Sequence, residues 1–248
     1  MTTAMVEGFG GTPLAVHQLG EGRPVLLLHG LFSNANTNWI KYGHAATIAA
    51  RGFRVVMPDF RVHGESAAPH DPADYPPDVL AKDVLALVDA LDLADFDLGG
   101  FSLGARTSVL LLEQGLKPRR VVLGGMGLQG LSGWAKRRDF FLDVIAERDT
   151  IKRGDPRWLS AQFMKSMKVD PVAAALLLRS FGDVDPTGLA GVAMPVAVVC
   201  GTEDRDNGSP EALVEALPDA ALHWVPGTHM SCVTRPELGQ TIADFLAG

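Results

Sequence analysis

The sequence has little cysteine, no excess of basic residues and no long apolar run. Its 248 residues include two cysteines, Cys200 and Cys232, whose spacing fits no common metal site. We therefore expect two reduced thiols and a cytoplasmic protein. Apolar runs stay short of the about 18 residues that a membrane-spanning helix needs. The N-terminal segment also lacks the basic start and apolar core of a secretory signal, so we expect neither a membrane anchor nor an export signal.

The charge balance is acidic, with 22 Lys and Arg against 29 Asp and Glu and a net charge of −7. A nucleic-acid-binding protein needs a basic surface to displace counterions from phosphates, so this balance argues against a nucleic-acid partner. The longest basic cluster, Lys136-Arg137-Arg138, is followed at once by Asp139, and we interpret it as a solvated helix face. The expected partner is a small molecule, with no membrane or nucleic acid involved.

Apolar runs and helical patterns alternate along most of the chain. Continuous apolar runs are typical of strands buried on both faces of a parallel sheet. We predict strands at 15–19, 25–29, 54–58, 96–100, 121–125, 196–200 and 222–225. Helical periodicity predicts helices at 78–92, 103–115, 209–217 and 235–246. The fold class that follows is α/β, with a mostly parallel central sheet flanked by helices.

One interval, from about Gly127 to Ala193, contains no convincing strand. Its pattern predicts helices at 133–148, 156–168 and 171–181. We therefore divide the chain into a core of residues 1–127 and 194–248 and a small helical cap of residues 128–193 inserted between sheet strands. Open α/β sheets bind ligands at the carboxyl ends of their strands, so we expect the cap to lie there as part of the same domain.

The segment GGFSLGA, residues 99–105, follows a predicted strand and precedes a predicted helix. A sharp turn at this point would push the Ser102 hydroxyl out above the sheet edge, and such a turn brings neighbouring backbone very close. Gly100 and Gly104 leave the space that Cβ atoms would fill. The segment is typical of an exposed serine nucleophile, and an incidental serine in a glycine turn is the alternative.

A serine nucleophile needs a base and an acid that orients the base. Downstream, GTEDRD (201–206) places Asp204 directly after an apolar strand, and PGTHM (226–230) places His229 after the last strand. The chain order Ser, Asp, His occurs in one fold that carries this triad. We predict Ser102, Asp204 and His229 as the catalytic residues, with Asp206 as the rival acid.

An oxyanion hole needs two hydrogen-bond donors beside the nucleophile. The backbone N–H of Leu103, directly after Ser102, is the first candidate. The second should come from the loop HGLFSN (29–34), where we favour the N–H of Leu31 and keep that of Phe32 as the alternative. We interpret His29 as a structural hydrogen-bonding residue and not as a second base.

Together, HGLF, PDFRVHGES, GGFSLGA, GTED and PGTHM resemble, in order and spacing, the α/β-hydrolase fold family. The resemblance runs from about residue 12 to 246, and only the cap interval is not diagnostic. It implies the α/β-hydrolase fold, a structural role for Asp59, Arg61 and His63, and no metal or organic cofactor. Val62 stands where the family usually has glycine. Epoxide hydrolases and dehalogenases of this fold carry an aspartate at the position of Ser102, so Ser102 argues against both.

Apolar side chains near the predicted site suggest a pocket for an apolar acyl or alcohol group. Packing between the cap and the sheet is the alternative for all of them. No arginine pair for a carboxylate substrate stands out, and Arg106 and Arg137 are the positions that would contradict this. The predicted substrate-binding residues are Phe32, Met126, Leu128, Trp134, Phe163, Met164, Met167 and Met230.

The resulting functional hypothesis is a serine hydrolase that cleaves short- to medium-chain carboxylic esters through an acyl-enzyme. A carbon–carbon bond hydrolase, a perhydrolase or a lactonase would use the same triad and is the alternative. A ligand-binding protein that keeps the fold without turnover is the alternative from another class, and the intact set of three residues argues against it.

Overall fold

The apolar runs form seven of the strands of one eight-stranded sheet in the computed structural model, which describes residues 1–248. The strands are β1 (Thr2–Glu7), β2 (Pro13–Leu19), β3 (Arg23–Leu28), β4 (Phe53–Pro58), β5 (Asp97–Phe101), β6 (Val121–Gly124), β7 (Val196–Gly201) and β8 (Ala220–Val225). The helices are α1 (His44–Ala49), α2 (Val79–Ala90), α3 (Leu103–Glu113), α4 (Trp134–Glu147), α5 (Trp158–Ser166), α6 (Pro171–Arg179), α7 (Pro210–Glu215) and α8 (Pro236–Ala247).

The sheet order is β1-β2-β4-β3-β5-β6-β7-β8. All strands from β4 to β8 in this order run parallel, whereas β1 pairs with β2, and β2 with β4, in antiparallel fashion. The predicted mostly parallel α/β sheet is therefore confirmed. The register places Leu28 opposite Gly100 and Phe101 opposite Gly124, so β3, β5 and β6 end at one edge of the sheet.

Alternating residues of the strands bury two opposite faces. Leu26 and Leu28 of β3 pack with Leu80 of α2 on one face. Val25 and Leu27 of the same strand pack on the other face with apolar residues of α1 and α8. Because a strand points successive side chains to opposite faces, a continuous apolar run is what a sheet covered on both faces requires.

The edge strand β1 and the short helix α1 were not predicted. Almost all of β1 is exposed, and its sequence TTAMVE has an apolar run of only three residues. It is held by backbone pairing with β2 along its whole length, from Thr2 opposite Gln18 to Glu7 opposite Pro13. Helix α1 spans only six residues. Helix α1 buries Ala45 and Ile48, but six residues are too few to show a helical period in the sequence.

Residues 128–193, here called the helical insertion, lie between β6 and β7 and contain α4, α5 and α6. Their apolar side chains share one cluster with the sheet: Trp134, Met164 and Leu177 are buried together with Leu28. The indole Nε1–H of Trp134 donates to the carbonyl oxygen of Leu178 at 3.2 Å, which joins the start of α4 to the end of α6. The insertion therefore packs as a continuation of the core.

Both cysteines are buried free thiols, as expected. The longest helix, α4, has 14 residues, and no helix combines the length and apolar character needed to cross a membrane.

Candidate active site

Ser102 lies in the turn between β5, which ends at Phe101, and α3, which begins at Leu103. Its backbone has φ of 55° and ψ of −110°, a conformation that non-glycine residues rarely adopt. A Cβ at Gly100 would lie 2.2 Å from the carbonyl carbon of Gly104, and one at Gly104 would lie 2.2 Å from the carbonyl oxygen of Leu28. The two glycines thus give the turn the space that the sequence predicted.

His229 and Asp204 meet Ser102 at the same edge of the sheet. His229 Nε2 lies 3.0 Å from Ser102 Oγ, and His229 Nδ1 lies 2.8 Å from Asp204 Oδ2. These contacts place the proton on Nδ1, donated to the carboxylate, and leave Nε2 to accept from the serine hydroxyl. The hydroxyl, imidazole and carboxylate therefore form one hydrogen-bonded row.

The rival acid, Asp206, is exposed, whereas Asp204 is 6% exposed. The backbone N–H of Asp206 donates to Asp204 Oδ1 at 3.0 Å, so Asp206 supports the other carboxylate. Burial opposes ionisation of Asp204, but the hydrogen bonds from His229 and from the Asp206 N–H outweigh it and lower the pKa of this carboxyl. Asp204 is accordingly the charged partner of the imidazole.

The His229 ring is positioned by aromatic packing and by a close glycine. Its centroid lies 5.1 Å from that of Phe101, and a Cβ at Gly125 would lie 3.0 Å from its Cε1 atom. Asn207, which is buried, donates from Nδ2 to the carbonyl oxygen of Gly125 at 2.7 Å. Sequence reasoning missed Asn207; its signal was its place in the loop after β7, three residues past Asp204.

Two backbone N–H groups beside Ser102 have no hydrogen-bond acceptor within the protein, those of Leu31 and Leu103. Leu103 is the first residue of α3, where N–H groups have no partner within the helix. The N–H of Phe32 instead donates to Nε2 of His63 at 3.0 Å. Between the two predicted alternatives for the second donor, the hydrogen bonding favours Leu31.

Buried polar side chains hold the loop that carries Leu31. Oxygen atoms of the Asp59 carboxylate accept from the N–H groups of Ala35 at 2.7 Å and Glu65 at 2.9 Å. His29 donates from Nδ1 to the Gly30 carbonyl at 2.8 Å and accepts the Phe60 N–H at Nε2. These contacts agree with the structural roles expected for Asp59, His63 and His29. Val62 adopts φ of 78°, the left-handed conformation for which glycine is the usual residue.

His63 makes the protein sensitive to acid. The ring is fully buried and uses both nitrogens, and burial lowers its pKa from 6.5 to about 3. Below pH 6.5 the unfolded chain binds a proton at His63 that the folded protein does not, so stability falls as the pH drops toward 3. We expect this residue alone to remove about 1.4 kcal/mol of unfolding free energy per pH unit.

Urea unfolding at a series of pH values measures this loss. His63→Gln removes the titrating ring, so the slope of its unfolding free energy against pH should be shallower than that of the unsubstituted protein. Slopes are compared because the substitution also changes absolute stability. Equal slopes between about pH 6 and pH 4 would contradict a neutral buried imidazole.

A cavity of about 40 Å³ lies beside Ser102. The predicted residues Leu31, Leu103, Met126 and Trp134 are among those that line it. The complete lining is Leu31, Ser102, Leu103, Arg106, Met126, Gly130, Trp134, Arg137, Phe141 and Asn207.

Six predicted substrate-binding residues are not part of this lining, and packing accounts for most of them. Phe32 is 2% exposed and meets Phe141 edge to face at 5.7 Å, and Met164 is 1% exposed. The Met167 sulfur accepts the Thr37 hydroxyl at 3.4 Å. Leu128 and Phe163 pack against the buried apolar clusters, because the apolar face of the insertion packs on the sheet. Met230 is 51% exposed.

The lining also corrects two expectations about charge. Arg106 and Arg137 both line the cavity, although no arginine pair stood out in the sequence. Arg137 also departs from the solvated face expected for its basic cluster, since it is only partly exposed. Asp204, Asp206 and His229 could together offer three metal-ligand atoms within 4.8 Å of one another. Both His229 nitrogens already have hydrogen-bond partners, which accounts for this grouping without a metal.

Comparison with known proteins gives the same picture of the fold. A family model described as alpha/beta hydrolase fold matches residues 23–123. The esterase of Exiguobacterium antarcticum has 18% identity and a TM-score of 0.78, covering 100% of both chains. The enol-lactonase of Burkholderia xenovorans LB400 has 23% identity and a TM-score of 0.77, covering 99% of this chain and 100% of its own.

A curated relative extends the sequence match over most of the chain. The dihydrolipoyllysine-residue acetyltransferase component of the acetoin cleaving system from Pseudomonas putida is 32% identical over an alignment of 242 residues that covers 85% of this chain. The chain spans 62% of the length of that relative. The match of the family model, the sheet topology and the full-length structural likeness agree, and the chain has the α/β-hydrolase fold.

Proposed function

We propose that this chain is a serine hydrolase that cleaves carboxylic esters through an acyl-enzyme on Ser102. The observation that carries the proposal is the hydrogen-bonded row, with 3.0 Å between Ser102 Oγ and His229 Nε2 and 2.8 Å between His229 Nδ1 and Asp204. A serine hydroxyl is a weak nucleophile until a base takes its proton, and this row supplies the base and the group that orients it.

The reaction follows from the positions of these groups. Ser102 Oγ attacks the ester carbonyl while His229 takes the hydroxyl proton, and the free N–H groups of Leu31 and Leu103 receive the developing oxyanion. The bond between the carbonyl carbon and the alkoxy oxygen then breaks, and His229 returns the proton to the leaving alcohol. Water repeats both steps on the acyl-enzyme and releases the carboxylic acid.

The cavity favours the short end of the predicted substrate range. Its volume of about 40 Å³ is small beside the roughly 300–1,000 Å³ of pockets that hold drug-sized ligands. Bulky side chains from both the core and the insertion, including Met126 and Trp134, limit it. We therefore propose small acyl groups as substrates in preference to medium-length chains. A lactone is a cyclic ester, so the same chemistry applies to it.

Covalent labelling tests the proposal most directly. A fluorophosphonate probe reacts with a serine that a neighbouring base activates, so we expect one adduct, located on Ser102 by mass spectrometry of the digested protein. Acid-denatured protein is the control, since it has the same serines without the hydrogen-bonded row. A folded protein that stays unlabelled would favour the alternative of a ligand-binding protein without turnover.

The choice between the two candidate acids gives a second prediction. Asp204→Asn preserves the shape of the side chain but removes the charge that stabilises the imidazolium, so kcat should fall about 10⁴-fold. Asp206→Asn is the matched control: it keeps the backbone N–H that supports Asp204, and kcat should change less than about threefold. Kinetics with p-nitrophenyl acetate measure both variants, and the reverse order would make Asp206 the acid.

A further inference from the structure

The cavity beside Ser102 is lined by two cations and by no acidic residue. Arg106 and Arg137 line it together with Ser102 and the two residues whose backbone N–H groups are free, Leu31 and Leu103. A pocket for an uncharged ester has no need of buried guanidinium groups, and burying them is costly unless each finds a partner.

Arg106 is the more buried of the two, at 4% exposed. It lies on α3, four residues after Ser102 in the sequence, and both residues line the cavity. One terminal nitrogen donates to the carbonyl oxygen of Gly182, whereas the Nε–H is buried without any hydrogen-bond partner. No carboxylate lies within 4.0 Å of the guanidinium.

Aromatic rings surround much of the remaining surface of Arg106. Its guanidinium carbon lies 5.3 Å from the centroid of Trp134 and 5.9 Å from that of Phe181. Burial lowers its pKa from 12.5 to about 10, while the more distant carboxylates of Asp78 and Asp183 oppose this shift. The side chain is therefore still a cation at neutral pH, and its charge has no close counterion.

Arg137 reaches the cavity from α4 of the helical insertion. Its Nη1 lies 3.4 Å from the backbone carbonyl oxygen of Asp206, and it forms no ion pair. Burial lowers its pKa, opposed by the carboxylates of Asp206 and Asp204. Its neighbour Arg138 differs, since Arg138 Nη2 lies 3.0 Å from an oxygen of Asp139. The arginine that faces the cavity is thus the one without a carboxylate partner.

We propose that Arg106 and Arg137 form an anion subsite that holds a carboxylate of the substrate while Ser102 attacks its ester carbonyl. This inference rests on the proposed function and narrows its substrate class to half-esters or lactones of short dicarboxylic acids. The planar guanidinium forks of arginine match the two oxygens of a carboxylate, and a small group fits a cavity of about 40 Å³.

A pair of substrates of equal shape tests the subsite. Monoethyl succinate carries a carboxylate where ethyl 4-methylpentanoate carries an isopropyl group, so the ratio of their kcat/KM values isolates the charge. We expect the unsubstituted protein to prefer the half-ester at least about tenfold, in line with one charge-assisted hydrogen bond. A preference for the neutral ester would overturn the subsite.

Substitution of Arg137, the more exposed of the two arginines, tests whether it causes the preference for the half-ester. Arg137→Gln should lower the ratio of kcat/KM for the half-ester to kcat/KM for the neutral ester about tenfold, mainly through a higher KM for the half-ester. Arg138→Gln on the same helix is the control and should leave the ratio unchanged. Arg106→Lys keeps the charge and loses the fork, so it should also raise the KM for the half-ester. An unchanged ratio in Arg137→Gln would contradict the proposal.

Binding of succinate separates this inference from the proposed function. Calorimetry should detect succinate binding to the folded protein, weakened about tenfold by Arg137→Gln and unaffected by Ser102→Ala. Succinate binding without turnover of any ester would keep the subsite and overturn the hydrolase. Ester turnover that needs Ser102, with no succinate binding and no preference for the half-ester, would overturn the subsite and keep the hydrolase.

Discussion

Replacing Ser102 with alanine should lower kcat for p-nitrophenyl acetate by about 10⁶-fold, the size of effect seen when the serine of a hydrolytic triad is removed. The hydroxyl lies 3.0 Å from the base, and no other hydroxyl or thiol shares the cavity lining. The alanine variant keeps Cβ and the strained backbone of the turn, so the fold should persist. Steady-state kinetics after removal of any contaminating esterase measure the effect.

Ser108→Ala is the matched control for this experiment. Ser108 lies on the same helix, is fully buried, and donates its hydroxyl to the Gly104 carbonyl oxygen at 2.9 Å, out of contact with the cavity. It should keep its activity and its circular dichroism spectrum. If Ser102→Ala retained more than about one hundredth of the original rate while folded, another residue would carry the chemistry and the proposed function would fall.

Replacing Asp83 with asparagine should remove about 3–5 kcal/mol of unfolding free energy, the usual result of leaving a buried charge without its partner. The side chains of Asp83 on α2 and Arg61 after β4 are each 1% exposed. Arg61 Nη2 lies 2.7 Å from Asp83 Oδ1. The Arg61 guanidinium also donates to the carbonyl oxygens of Phe9 at 2.8 Å and of Asp74. Asparagine keeps the size of the side chain but leaves this guanidinium without a counterion. Urea unfolding at neutral pH measures the loss.

Two further variants separate charge pairing from other effects. Asp244→Asn breaks the exposed pair between Arg51 and Asp244, which should cost less than about 1 kcal/mol because water screens it. The double variant Arg61→Met with Asp83→Leu removes both charges together and should recover part of the loss. If Asp83→Asn costs no more than Asp244→Asn, the buried pair contributes little to stability.

The core strands were predictable because burial on both faces imposes a pattern that the sequence alone records. The run VLLLH predicted β3, and GGFSLGA predicted the turn from strand to helix at Ser102. Strand β1 was not predictable in this way, because an exposed edge strand depends on backbone pairing with its neighbour. Short elements without a buried face leave little trace in an isolated sequence.

The residues of the site also differ in how well the sequence predicted them. Ser102, Asp204 and His229 each follow a strand of a parallel sheet, and the carboxyl ends of such strands share one edge, so their meeting followed from the order of elements. The predicted pocket residues fared less well. Apolar periodicity marked Phe163 and Met164 on α5, but periodicity does not distinguish a face that packs on the sheet from one that lines a cavity.

By itself, the sequence determined strands β2 to β8, the turn at Ser102 and the three residues that meet there, because local pattern and chain order fix them. Only the tertiary structure decided that the Leu31 N–H is free while that of Phe32 is engaged by His63. Only the tertiary structure showed that Arg106 and Arg137 line the cavity beside Ser102. The physical reason is that each of these depends on which side chains from distant segments come into contact, and the spacing of residues along one segment does not specify that.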